Sequence, residues 1–200
     1  MEIDRVPVSV YAEMTPNPAV MKFVSNKRMI ELEHVEYQNI EEASNSPLAI
    51  QLFHFPFVKE VFISSNFVAV QKYNVVEWET VTLEIRELVL EFLQSGKSVL
   101  NPGDSIEAKD APEKPAPDVI LAELSEIEER IIDVLEEYVK PAVQQDGGNI
   151  AFVSYENKIV KVQLQGACSG CPSSTLTLQS GIKSILQRML PSLIEDVVPV

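Results

Sequence analysis

Three features of this 200-residue chain predict an α+β fold built from two small two-layer α/β domains. Strand-like and helix-like hydrophobic patterns occur in both halves, a proline- and acid-rich stretch separates the halves, and the 46% apolar content is enough to build cores. The predicted boundaries are residues 1–100 for the first domain, 101–122 for a linker and 123–200 for the second domain. The linker rests on the segment NPGDSIEAKDAPEKPAPD, from Asn101 to Asp118. It holds four prolines, no aromatic residue and a single large aliphatic side chain, so it cannot bury enough surface to fold. Its composition is that of an extended, semi-stiff spacer.

In the first domain, VPVSVYAEM and AVMKFVS read as strands and PLAIQLFHF as a short helix. The segment VFISSNFVAVQK reads as a hairpin turning at Ser64-Ser65-Asn66. From Val81 the apolar residues Val81, Ile85, Leu88, Val89 and Phe92 recur at helical spacing, and Gly96 stands where a left-handed C-cap belongs. Phe53, Phe55, Phe57, Phe62 and Phe67 are expected to form the core of this domain. His34 and His54 have no acid or cysteine at a ligating or catalytic spacing, and both are read as structural or surface residues.

In the second domain, Leu124, Ile127, Ile131, Val134, Leu135 and Tyr138 fall on one helix face, with Pro141 ending or interrupting the pattern. Glu126, Glu128, Glu129, Glu136 and Glu137 make the solvated face. NIAFVSY and KIVKVQL read as two strands around Glu156-Asn157, with Val160, Val162 and Leu164 alternating on one side. Leu178, Ile182, Ile185, Leu186 and Met189 mark a second amphipathic helix, broken near Pro191, and EDVVPV a last short strand. Asp146-Gly147-Gly148 reads as an ordinary turn that accepts positive φ ahead of a strand.

Charge excludes some partners. With 30 acidic and 16 basic side chains the net charge is -14, which repels phosphate backbones and anionic lipid surfaces. Residues 1–100 carry 14 acids and 8 bases, and residues 123–200 carry 11 and 6, so neither half hides a basic module. No nucleic acid and no membrane partner is expected. The opening MEIDRVPVSV has neither a secretory nor a transit pattern, and no apolar run approaches the roughly 20 residues needed to span a bilayer. A cytoplasmic location is the expectation, and a reducing compartment would keep the two cysteines as thiols.

Those two cysteines carry the chemistry. Gly166-Ala167-Cys168-Ser169-Gly170-Cys171-Pro172-Ser173-Ser174 lies between a predicted strand and a predicted helix, so both sulfurs are expected to project from a tight loop at a helix N-terminus. There the helix dipole and free backbone N–H groups favour thiolates, Ser173 or Ser174 is placed to cap the helix, and Pro172 stiffens the chain beside the second sulfur. Two thiolates complete neither a four-cysteine iron-sulfur site nor a closed zinc site. A two-fold dimer would supply four. The spacing by itself also serves redox dithiols and zinc half-sites. A thioredoxin-like domain, however, needs most of its fold after the motif, and a zinc half-site needs a second Cys or His pair. The sequence after Cys171 is short, and no such pair is present.

Asp146-Gly147-Gly148, the Gly166-to-Ser174 loop, Thr177-Leu178 and Gly181-Ile182 together resemble the C-terminal domain of NifU-type proteins over roughly residues 123–198. Thr15-Pro16-Asn17-Pro18, Lys22-Phe23, the Val61-Phe62 to Val68-Ala69-Val70 hairpin and Trp78-Glu79 resemble the Nfu N-terminal domain. The resemblance implies an Nfu-type carrier that is not an enzyme. It would bind a [4Fe-4S] cluster between the two subunits of a homodimer, with Cys168 and Cys171 as each subunit's ligands. It would then deliver the cluster to apo iron-sulfur client proteins. It also implies an N-terminal domain without a cluster of its own, which helps recognise clients or upstream cluster donors.

Overall fold

The structure is a computed structural model that describes residues 7–101, 126–168 and 172–200. The chain divides into two compact units, Met1–Gly103 and Asp104–Val200. The linker segment, Leu124, Ser169, Gly170 and Cys171 lie outside the described residues. Among the described residues no helix is long and apolar enough to cross a membrane.

The first unit is a five-stranded antiparallel sheet with two helices. Its elements are β1 (Val10–Met14), β2 (Val20–Ser25), β3 (His34–Tyr37), α1 (Pro47–Phe53), β4 (Val58–Ser64), β5 (Phe67–Lys72) and α2 (Trp78–Gln94). The strand order is β1-β2-β5-β4-β3. Alternation sends Phe23, Val61, Ile63, Val68 and Val70 to one face, where they meet Leu48 and Leu52 of α1 and Ile85, Val89 and Phe92 of α2. Helix α1 starts at Ser46, whose Oγ accepts from the Ala49 N–H (3.2 Å) and donates to the Val99 carbonyl (2.9 Å). The Ser46 cap thus also ties α1 to the chain beyond α2. Helix α2 ends at the expected place, with Gly96 at φ +72°.

The five phenylalanines divide. Phe53, Phe55 and Phe57 join the core with the helices. Phe62 and Phe67 are buried on the opposite face of the sheet, because they alternate with Ile63 and Val68. There their ring centroids lie 6.0 Å apart, His34 stacks on Phe62 at 5.5 Å, and the Lys22 ammonium sits 4.7 Å from the Phe67 centroid. His34 is therefore structural, as expected.

The second unit comprises α3 (Glu126–Val134), α4 (Lys140–Gln145), β6 (Gly148–Glu156), β7 (Ile159–Gly166), α5 (Pro172–Met189) and β8 (Asp196–Pro199). The sheet order is β6-β7-β8, with β6 antiparallel and β8 parallel to β7. Parallel neighbours need a crossover, which α5 supplies. Val160, Val162 and Val197 of the sheet pack against Ile131, Leu135, Val139 and Val143 from the first helices and Ile182 and Leu186 of α5.

Two expectations change here. Between α3 and α4 the residues Leu135–Val139 form a π-turn, two residues before Pro141. Proline lacks an N–H and its ring crowds the preceding turn, so a wider turn carries the helix past it. The buried residues Ile131, Leu135, Val139 and Val143 are spaced four apart. In a plain α-helix such a stripe drifts by roughly 40° per step, and the wide turn corrects that drift. Tyr138, read as core, is instead 43% exposed, while Val139 is buried. The β6–β7 hairpin turns at Asn157-Lys158 rather than Glu156-Asn157. Both residues have positive φ (50° and 65°), the requirement of a two-residue turn that matches strand twist. The Lys158 carbonyl accepts from the Glu195 N–H at 2.7 Å, fixing the entry to β8.

Candidate functional site

Strand β7 delivers Cys168 two residues beyond its end, and α5 begins at Pro172, which suits the first helical position. The strand-to-helix placement of the cysteine loop is as the sequence predicts. Cys171 lies outside the described residues, so Cys168 is the ligand candidate whose surroundings are defined.

Those surroundings are built by Asp146-Gly147-Gly148. Helix α4 ends as Asp146 N–H bonds the Ala142 carbonyl (3.1 Å) and Gly147 N–H bonds the Gln144 carbonyl (3.0 Å). Gly147 takes φ +83°, where a side chain would be strained. Its carbonyl accepts from the Ala167 N–H at 3.1 Å, joining the turn to the cysteine loop. Gly148 pairs with Gly166 as β6 and β7 begin their ladder. A β-carbon on Gly148 would lie 2.6 Å from both the Cys168 Sγ and the Gln165 carbonyl oxygen, and 3.0 Å from the Cys168 Cβ. One residue further along β6, Asn149 is buried and its Nδ2 donates to the Gln165 Oε1 at 3.2 Å.

Reading Asp146-Gly147-Gly148 as an ordinary turn is right for Gly147 and incomplete for Gly148, whose bare α-carbon makes room for the thiol. Gln165 and Asn149 were missed as well. The signal was present in the doubled glycine, because the turn needs only one.

The thiol itself is not the exposed thiolate that the helix N-terminus led us to expect. Cys168 is only 6% exposed and belongs to the hydrophobic core of its unit. Burial, and secondarily the negative charge of Asp146, push its pKa from 9.0 up to about 12. Burial thus favours the neutral thiol at Cys168. Such a group binds a soft metal or an iron-sulfur centre only by giving up its proton. Among the described residues no three His, Cys, Asp or Glu side chains gather into a metal site.

Comparison with known proteins places the chain. Residues 10–96 match the family described as scaffold protein Nfu/NifU N terminal, and residues 131–197 match the NifU-like domain. The mitochondrial NFU1 iron-sulfur cluster scaffold homolog of Homo sapiens is 32% identical over 183 residues, covering 91% of this chain and 68% of that protein. The chain belongs to the Nfu/NifU scaffold-protein family. Mitochondrial NifU-like protein 4 of Arabidopsis thaliana is 37% identical over 181 residues, or 90% of this chain, and the chain spans 62% of that protein's length. The solution structure of a NifU-like protein from Saccharomyces cerevisiae aligns with 51% of this chain and 91% of its own, at 26% identity and a TM-score of 0.44. Membership accounts for both halves of the sequence in their observed order.

Proposed function

We propose that this chain is an iron-sulfur cluster scaffold and carrier rather than an enzyme. Two copies hold one [4Fe-4S] cluster between them through Cys168 and Cys171 of each, and pass it to apo-proteins. The observation that carries this reading is the seating of Cys168 at a strand-to-helix turn against Gly148, in a chain whose relatives are named as cluster scaffolds. One chain offers half of a four-thiolate set, so cargo binding and homodimerisation are thermodynamically linked.

The buried thiol gives the exchange its direction. When the cluster leaves, each carrier sulfur takes back a proton as each client thiol surrenders one, so the exchange is proton-neutral overall. Return of Cys168 to a neutral, buried thiol stabilises the emptied carrier, and that favours release. The first domain serves recognition of clients and upstream donors, and tethering it to the carrier domain raises the local concentration of a bound client. The relatives named above are mitochondrial by name. Our reading for this chain is a reducing compartment, the cytoplasm.

Anaerobic reconstitution with iron and sulfide tests this. A brown dimer with about four irons and four sulfides per pair of chains, lost in Cys168→Ala, is the expected result. A colourless protein that binds zinc, or one that cycles a Cys168–Cys171 disulfide, would overturn it.

A further inference from the structure

The first unit carries a groove that the cluster chemistry leaves unused. It lies between α1 and α2, has a volume of about 480 Å³, and the partly buried Phe55 and Leu88 are the apolar side chains that reach its surface. Its rim is acidic. Glu84, Glu87 and Glu91 of α2 line it and are exposed, and none of them forms an ion pair among the described residues. Arg86, on the same helix, is drawn away to the Val10 carbonyl on β1 at 3.4 Å. Lys97 is the one base on the rim.

Like charges at i, i+3 and i+4 on a helix repel and cost stability. Three of them beside an apolar floor are a cost that a cationic occupant removes. A second copy of this chain is a poor occupant, because its own net charge is -14. We infer that this groove docks a basic amphipathic helix of a partner protein, with apolar side chains on Phe55 and Leu88 and its Lys or Arg residues against the three glutamates. The inference does not depend on what the cysteines hold.

The test uses the full metal-free chain and three synthetic helical peptides of equal length: one Leu/Lys amphipathic, one with the lysines changed to glutamate, and one with the leucines changed to serine. Binding is followed by titration calorimetry and mapped by backbone amide NMR shifts. The Leu/Lys peptide is expected to bind and the other two to fail, with shifts confined to α1 and α2. The variant E84Q/E87Q/E91Q should weaken binding by at least about tenfold and flatten its salt dependence. Removing the same number of charges elsewhere, in E126Q/E129Q/E137Q, should leave affinity within about twofold. Equal losses in both variants would mean diffuse attraction to an acidic protein and would overturn the proposal. So would shifts centred away from the groove, or binding of the serine peptide at equal affinity. All six positions are exposed, so the variants retain the fold, and circular dichroism checks that.

Discussion

Gly148 and Cys168 compete for one position: the point where a β-carbon on Gly148 would stand lies 2.6 Å from the Cys168 sulfur. Gly148→Ala must therefore push the thiol or the β6–β7 ladder aside. We expect a loss of about 1–3 kcal/mol in stability, the usual cost of overpacking, and impaired cluster loading. Pairing it with Cys168→Ala removes the contact with sulfur but leaves the Gln165 carbonyl in the way, so rescue should be partial. A double-mutant cycle by urea denaturation measures the coupling, and strict additivity would refute the shared-space account.

Cys168 should also shape the alkaline limb of the stability curve. Its pKa is raised in the folded protein, from 9.0 to about 12. Its contribution is thus fully present below pH 9 and is lost as pH rises through the interval up to about 12, where the unfolded chain has released a proton that the folded chain retains. Denaturation midpoints of the metal-free protein should fall over that interval, and less steeply in Cys168→Ala. Identical slopes would contradict the burial assigned to the thiol.

The π-turn makes neighbouring residues opposites. Val139→Ala should cost about 2 kcal/mol, from two buried methyl groups and the space they leave. Tyr138→Ala should cost less than Val139→Ala, since Tyr138 is 43% exposed while Val139 is buried. Thermal melts of the two variants decide the point, and a reversed order would restore the uninterrupted helix.

Removing residues 1–118 should leave cluster reconstitution intact, since Cys168 and its pocket lie wholly in the second unit. Transfer to some apo-proteins should slow. Equal transfer rates to every client tried would show that the first domain takes no part in delivery.

Much of this was legible because hydrophobic spacing reports local geometry. Val81, Ile85, Val89 and Phe92 are each buried on α2, as a 3.6-residue period requires. Strand β3 was not foreseen: four residues with His34 and Glu36 on one face and Val35 and Tyr37 on the other give too short a pattern to register. The π-turn escaped because Pro141 announces an interruption without saying how the helix absorbs it. Gly148 escaped for a different reason. The doubled glycine marks a need for space, but which group fills that space depends on the register that pairs Gly148 with Gly166, a long-range fact. The expected thiolate character of Cys168 was misleading, because the Asp146-Gly147-Gly148 turn helps bury the sulfur.

The cover over Cys168 bears on how long an idle molecule lasts. Peroxides and stray disulfides attack thiolates, and they need access. A sulfur that stays protonated and sits 6% exposed offers neither. The metal-free chain is therefore expected to oxidise slowly at this position, and the small turn at Asp146-Gly147-Gly148 helps to shield it.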